Sequence, residues 1–369
     1  MKSLWDGKRF EILFSLALAV FTAYALLDTF VIPRQYALVD STPETVAEML
    51  KEETPQSTIT APQNMDDGQN RAAIQDTPNS SAATRAPSAS NETHRRRGRG
   101  GTDSVITENT EKVDRAQENT VENASVEGEV IRSWSDENIA ITVTQYRACQ
   151  TDVYVADVTL SSPEYLKTAL ADNTYGRNIK DKTSVIASEN QAVLAINGDY
   201  YGARNSGYVL RNGILYRESG AGGDVLAIFD DGSFQIADDR QITARELLDA
   251  GAVQILSFGP ALLKDGNVTV TQGQEVGKAM VNNPRTAIGV IDKLHYVFVV
   301  ADGRTGQSAG MSLYELAEFL RGIGVDTAYN LDGGGSSTMV FNGEILNHPT
   351  TSGNSVKERS VSDIVYIGS

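Results

Sequence analysis

The sequence predicts an α+β (mixed α/β) fold: a single domain around one substantial mixed β-sheet with few helices, behind an N-terminal transmembrane helix and a disordered stalk. Three observations predict it. An almost unbroken apolar run spans Phe10 to Leu27 and resumes at Phe30-Val31-Ile32. Residues 35–128 are rich in Thr, Ser, Asn, Gln, Glu and Pro and hold no sustained helical or strand period. From Val130 onward, short stretches alternate apolar and polar residues, which is the pattern of half-buried strands.

Residues 1–34 read as a cytoplasmic tip and a membrane helix. About 20 apolar residues match the hydrocarbon thickness as a helix, so residues 10–32 are the expected contact with a lipid bilayer. Lys2, Lys8 and Arg9 precede the run, and positive charge there favours keeping that end in the cytoplasm and exporting the rest of the chain. Ala23-Tyr24-Ala25 resembles a signal-peptide cleavage site. The apolar run continues past it, so the expectation is an uncleaved single-pass anchor in the cell membrane, with the C-terminal domain extracytoplasmic. Residues 35–128 cannot bury enough apolar surface to offset their ordering entropy. They read as a stalk, in which Arg95-Arg96-Arg97-Gly98-Arg99 is a solvated basic patch.

Residues 129–369 carry the domain. Strands are expected at 139–143, 153–158, 192–196, 209–216, 225–229, 253–257, 286–291, 296–301 and 364–367. Thr243-Ala244-Arg245-Glu246 and Ser312-Leu313-Tyr314-Glu315 are capping boxes, whose first and fourth side chains satisfy free backbone donors at a helix start. The second opens a helix with Leu313, Leu316, Ala317 and Leu320 on one face, ending near Gly322 and Gly324. The formal net charge of −16 excludes nucleic acid as a partner, because binding it requires clustered cations. A single cysteine, Cys149, permits no intrachain disulfide and is expected as a small buried hydrophobe.

Polar residues and glycines collect where these strands end: Asn197-Gly198-Asp199-Tyr200-Tyr201, Ser257-Phe258-Gly259-Pro260, Asn283-Pro284-Arg285-Thr286, Asp302-Gly303-Arg304 and Asn330-Leu331-Asp332-Gly333-Gly334-Gly335-Ser336. Asp231-Gly232 and Asp265-Gly266 are ordinary turn sequences. Three successive glycines in a core segment are harder to explain as a turn, since they cost backbone entropy unless φ must be positive or something approaches the backbone. Consecutive amides there can form an anion-binding nest. Histidine is scarce, and of His94, His295 and His348 only His348, in a late loop, merits a test as a functional group. No zinc-ligand spacing or calcium loop is present. The chemistry-bearing set is then Asp199, Asp302 and Asp332 with Arg285, Arg304 and Arg359. Carboxylates with arginines suit a substrate holding a scissile sugar bond and a phosphate.

Taken in order, these five motifs resemble the phosphodiester glycosidase family over about residues 130–369. The resemblance implies a catalytic domain that hydrolyses an α-linked N-acetylglucosamine 1-phosphodiester at the anomeric C–O bond. The expected partner is an anionic or phosphodiester-linked glycan in a surface or wall polymer. On this reading Asp332 and Asp302 activate water or stabilise the sugar cation, and Arg285 holds the phosphate with Arg304 and the Gly333, Gly334 and Gly335 amides. Asn197 and Asn330 bind hydroxyls or the acetamido group. Asp199, Tyr200, Ser336 and Arg359 complete the binding set. Many relatives have Asn-Gly-Gly-Phe-Phe where this chain has Asn197-Gly198-Asp199-Tyr200-Tyr201, which argues against a catalytic role for Asp199. No cofactor is expected. A divalent cation on the three aspartates is an alternative that carboxylate–arginine pairing explains equally well. The other class of function is a non-catalytic surface module that binds a glycan or organises its assembly, using the arginines with Tyr200, Tyr201 and Tyr208.

Overall fold

The computed structural model describes residues 2–38, 127–276, 282–351 and 355–369. Helix α1 runs Lys2–Phe30 and is followed by β1 (Arg34–Leu38). The domain then begins with β2 (Gly128–Ser135), β3 (Ile139–Ala148), β4 (Thr151–Leu160), β5 (Leu166–Leu170), β6 (Thr174–Arg177), β7 (Asp181–Lys182), α2 (Thr183–Glu189) and β8 (Leu194–Asn197). Next come β9 (Val209–Arg211), β10 (Ile214–Arg217), β11 (Asp224–Phe229), β12 (Phe234–Asp238), α3 (Ala244–Asp249), β13 (Ala252–Leu256), β14 (Ala261–Lys264) and β15 (Asn267–Val268). The chain closes with β16 (Arg285–Asp292), β17 (His295–Ala301), α4 (Leu313–Gly322), β18 (Thr327–Asn330), β19 (Met339–Phe341), β20 (Glu344–Ile345), β21 (Ser360–Val361) and β22 (Asp363–Ile367).

The strands form three main sheets where the sequence suggested one. An eight-stranded sheet has the order β15-β14-β18-β16-β17-β4-β3-β2, and two five-stranded sheets have the orders β10-β9-β13-β11-β12 and β20-β19-β8-β22-β5. Every strand pairing among the described residues is antiparallel, so the expected mixed sheet is corrected. The reason is helix supply: helices of 7, 6 and 10 residues cannot cover both faces of so much sheet, so the sheets pack on one another. One cluster joins Ile141, Val158, Ile288 and Phe298 of the large sheet to Leu194, Ile196 and Val365 of one small sheet and Leu226 and Ile228 of the other.

Each outer face takes one helix. Side chains one position out of phase with the central core, among them Val153, Val155, Ala287 and Val299, meet Leu313, Leu316, Ala317 and Leu320 of α4. Each such buried leucine contributes roughly 1.5–3 kcal/mol. Helix α3 covers Leu210, Val225 and Ile255 through Ala244 and Leu247, and α2 covers Ala195, Val340 and Ile364 through Ile186 and Ala187. Both predicted capping boxes form, at Thr243 and Ser312.

Helix α1 is long and apolar enough to cross a membrane over Glu11–Asp28. The chain does not pass straight from it into a stalk. Residues 34–38, of which the composition assigned 35–38 to the stalk, form β1 and pair antiparallel with β6. The rest of that segment, through residue 126, lies outside the described residues. Cys149 also departs from expectation: it is exposed, with φ 47°, beside Gln150 with φ 58° in the tight turn joining β3 to β4.

Candidate active site

Strand β8 delivers Asn197-Gly198-Asp199 to the end of its sheet, and the structure commits the two polar side chains to the scaffold. Asn197 is fully buried; its amide donates to the Asp332 carbonyl at 2.6 Å, and its oxygen accepts from Thr286 Oγ1 at 2.8 Å and from the Thr338 N–H at 3.2 Å. It ties three chain segments together, with no acceptor left for a sugar hydroxyl. Asp199 is 1% exposed and pairs with Arg211 at 2.9 Å, while accepting from the Tyr201 and Ser257 N–H groups. Arg211 turns its Nη2 to Asp363 as well, at 2.7 Å. Gly198 permits this, because a Cβ there would meet Asp363 Oδ1 at 2.3 Å. Two buried carboxylates thus share one guanidinium. Burial, with the Asp199 charge second, pushes the Asp363 carboxyl up to about 7 against the pull of Arg211. Arg211 and Asp363 carried no motif signal; pattern reading does not register a lone strand arginine. Tyr200 projects outward at φ 65°, 37% exposed.

The glycine turn is built differently. Strand β18 ends at Asn330, and Asp332 comes two residues later with its N–H donating to the Gly198 carbonyl at 3.1 Å. Gly334–Ser336 form one 3-10 turn, and Gly334 takes φ +65°. Within this turn sits the exceptional carboxylate. Asp332 is 8% exposed, and its Oδ2 is buried without a hydrogen-bond partner among the described residues. Burial raises its pKa above the usual carboxylate range, while the Ser336 hydroxyl and the charges of Arg359 and Arg204 pull it back. An unpaired buried oxygen costs about 1–3 kcal/mol, or more for a charged group. Asn330 lies beside it with its amide on the Gly259 carbonyl at 2.8 Å and its own oxygen buried and unpartnered among the described residues.

Three arginines gather over the turn, and they divide. Arg285, 3% exposed, donates from Nε to the Met311 carbonyl at 2.8 Å and pairs with Glu275 at 2.5 Å. Its charge is paired within the protein, by Glu275. Arg304 lies directly over Gly334, whose Cβ would stand 2.9 Å from its Nη2. It donates to Asn283 Oδ1 at 2.9 Å and to the Thr351 carbonyl at 2.8 Å. Arg359 reaches the Ser336 hydroxyl at 3.5 Å, and its backbone N–H donates to the Gly335 carbonyl. Among the described residues neither Arg304 nor Arg359 forms an ion pair with a carboxylate. Burial first, then the like charges of Arg359 and Arg285, hold the Arg304 guanidinium below its ordinary pKa. Such a cluster is short of an anion.

Asp302 directly follows β17 and is 2% exposed. Its Oδ1 accepts from Asn347 Nδ2 at 3.0 Å and from the His348 N–H at 2.9 Å, and its Oδ2 meets His348 Nδ1 at 3.0 Å. The carboxylate therefore orients the histidine instead of facing a substrate itself. The His348 side chain is 60% exposed, which leaves Nε2 outward. Asn347 also donates to the Ser337 carbonyl at 3.0 Å, tying this dyad to the glycine turn. The sequence singled out Asp302 and His348 separately, 46 positions apart, and nothing in it paired them.

Arg304 and Arg359 thus gather at the largely buried turn Asp332-Gly333-Gly334-Gly335-Ser336, which Asn347 ties to Asp302–His348, while Asn197, Asp199 and Arg285 are held by partners within the protein. The three aspartates keep separate surroundings, and among the described residues no three His, Cys, Asp or Glu side chains converge as a metal cage.

Residues 190–368 match the family model described as phosphodiester glycosidase. The chain is 30% identical over 182 residues to an uncharacterized SPbeta prophage-derived protein, YomE, of Bacillus subtilis, covering 47% of this chain and 28% of that one. It is 35% identical over 176 residues to human N-acetylglucosamine-1-phosphodiester alpha-N-acetylglucosaminidase, covering 42% of this chain and 33% of the relative. It therefore spans a third or less of the length of these relatives. The fold matches the catalytic domain of the zebrafish enzyme of that name, described as auto-inhibited by its pro-peptide, with a TM-score of 0.50 and 22% identity over 66% of this chain and 88% of the other. A hypothetical protein from Synechocystis aligns with the same TM-score at 16% identity, over 66% of this chain and 64% of that one. Residues 190–368 are thus similar in sequence to the phosphodiester glycosidase family, and the domain shares the fold of one of its catalytic domains.

Proposed function

We propose that the chain hydrolyses the anomeric C–O bond of a sugar 1-phosphodiester of the N-acetylglucosamine type, outside the cytoplasm, anchored through α1. One observation carries the reading: a buried carboxylate with an unpartnered oxygen, Asp332, at the head of a glycine turn reached by two arginines that no carboxylate among the described residues neutralises, Arg304 over Gly334 and Arg359 at Ser336. An anion-deficient surface next to a desolvated carboxylate is what a phosphate joined to a developing sugar cation requires.

In this mechanism Arg304, Arg359 and the amides of the glycine turn take the phosphate. Asp332 faces the anomeric carbon and stabilises its positive charge. His348, its Nδ1–H held by Asp302, takes the proton of the attacking water at Nε2. The water oxygen bonds to C1, the C1–O bond breaks, and the phosphomonoester leaves with the bonding pair. A phosphomonoester is a good leaving group, so neutralising it matters more than protonating it. The test is turnover of methyl-phospho-N-acetylglucosamine and UDP-N-acetylglucosamine. Release of free N-acetylglucosamine that Asp332→Asn abolishes supports the mechanism. A folded chain that binds the sugar phosphodiester without turning it over refutes it.

A further inference from the structure

The junction between α1 and the domain is built, not slack. The Val31 and Ile32 N–H groups donate to the Leu27 carbonyl, extending the helix end, and Arg34 forms an ion pair with Asp28. Asn178, just after β6, donates to the Ile32 carbonyl at 3.2 Å. Then β1 pairs with β6 in register Arg34↔Arg177, Gln35↔Gly176 and Ala37↔Tyr175. The Tyr36 ring lies 5.7 Å from that of Tyr175, and Ala37 packs on the cluster of Leu170, Tyr175, Tyr201 and Val209. From Phe30 to Arg34 the chain spans about 14 Å at most. A free stalk of the length of residues 35–128 would instead let the domain range over roughly 50 Å.

The strand that pairs with β1, β6, is followed in sequence by β7, which belongs to a separate two-stranded sheet. Residues Asp181–Lys182 of β7, the next strand after β6, pair with Ser360–Val361 of β21, and Arg359 immediately precedes β21. The segments at and after this pairing carry Arg34, Arg177, Lys180 and Lys182, with Asp28 paired to Arg34 and Asp181 between the two lysines. Cations near a bilayer are drawn to anionic headgroups.

We infer that β1 fixes the domain against the bilayer, so that its substrate is a sugar joined through its 1-phosphate to a membrane lipid; this rests on the proposed sugar 1-phosphodiester chemistry and on α1 as an anchor. Such a lipid is itself a sugar 1-phosphodiester. Water adds to C1, the C1–O bond breaks, the lipid keeps the phosphate as a monoester, and the water proton passes through His348 to solvent.

The experiment uses the full chain in nanodiscs, with prenyl-phospho-N-acetylglucosamine in the bilayer and methyl-phospho-N-acetylglucosamine in solution. The double variant Tyr36→Ala/Ala37→Asp releases β1 by removing the ring contact and placing a charge in the apolar cluster. The expected result is a fivefold or greater loss on the lipid-linked substrate, with soluble turnover within twofold of wild type. Loss on neither substrate, or equal loss on both, overturns the inference. So does a rise in soluble turnover, which would make β1 a cover on the site. Hydrogen exchange on the wild-type chain in the same discs gives a reading independent of the variant: amides of Arg34–Leu38 are expected to be protected, and free exchange there overturns the inference. Turnover of the soluble substrate alone by wild type sinks the lipid-linked substrate and leaves the chemistry standing, whereas turnover of neither sinks the chemistry itself.

Discussion

Replacing Asp302 by Asn tests the dyad more sharply than removing it, because the geometry dictates which way the amide must lie. Oδ1 of Asp302 receives two donors, Asn347 Nδ2 at 3.0 Å and the His348 N–H at 2.9 Å. An asparagine oxygen has to take that place, which turns its NH2 toward His348 Nδ1, now 3.0 Å from Oδ2. Facing a donor, Nδ1 must accept, so the ring proton moves to Nε2 and the base is lost. Two hydrogen bonds survive and one charge-assisted bond becomes neutral, a stability cost of about 1 kcal/mol. A lost general base costs roughly 10²–10⁴ in rate, or about 3–5 kcal/mol in the barrier. Asp302→Asn should therefore lower kcat by two to four decades on methyl-phospho-N-acetylglucosamine while Tm falls by only a few degrees. His348→Ala should do the same, and the double variant should be no worse than His348→Ala, because the two act as one unit. A kcat within threefold of wild type in Asp302→Asn, or additive losses in the double variant, would refute the assignment.

Asp332→Asn removes a buried charge whose Oδ2 has no partner among the described residues, so it should cut turnover by about 10²–10³ yet leave Tm unchanged or higher; a lower Tm with retained activity would count against the role given to Asp332. Because burial raises the Asp332 pKa, the acid limb of the residual kcat/KM of His348→Ala should lie above the usual carboxylate range, and a limb at ordinary carboxylate pH in that variant would exclude Asp332 as the titrating group. Gly334→Ala places a methyl at φ +65° and 2.9 Å from Arg304 Nη2. A strain of about 1–2 kcal/mol and a displaced guanidinium should raise KM tenfold or so, measured by initial rates. Asp363, with a folded pKa raised to about 7, binds its proton more tightly folded than unfolded. Its contribution to stability is full below the unfolded carboxylate pKa of about 4 and is lost as pH rises toward and through the folded value. Tm should fall between pH 5 and pH 8, and Asp363→Asn should flatten that slope; a slope unchanged in the variant would place the titration elsewhere.

Local signals in the chain announced the elements and left their assembly open. The capping boxes at Thr243 and Ser312 are satisfied within four residues, so they were legible without knowing what the helices cover. Strand alternation was equally local. Sheet membership was not, because β14 and β18 pair across more than sixty positions and β17 and β4 across more than a hundred and thirty. Period-2 patterning states that one face is buried and says nothing of which strand lies alongside. Composition misread 35–38 for the same reason: Gln35 and Tyr36 gain their order from the β6 ladder and the Tyr175 ring, not from any apolar run of their own.

At the site, residue type and strand-end position located the right region but could not distinguish a group held by the protein from one left for a ligand. Asp199, Asp302 and Asp332 look alike in sequence, each at a strand end beside glycine. In the fold one meets Arg211, one meets His348, and one keeps a buried oxygen unpaired among the described residues. The same division separates Arg285, neutralised by Glu275, from Arg304 and Arg359. The deciding partners lie on distant segments, so their identity is a tertiary fact. This bears on how the site can work. A buried guanidinium already paired to a carboxylate offers an incoming phosphate little net charge, and breaking such a pair costs about 3–5 kcal/mol. Arg285 can therefore position the turn, but the anion's affinity has to come from arginines that meet no carboxylate among the described residues, here Arg304 and Arg359. Arg285→Ala, with Glu275 left buried and alone, should then lower Tm as well as turnover, whereas Arg304→Met should raise KM with Tm almost unmoved. If Arg285→Ala instead changed only kinetics, the division drawn between support and contact would be wrong.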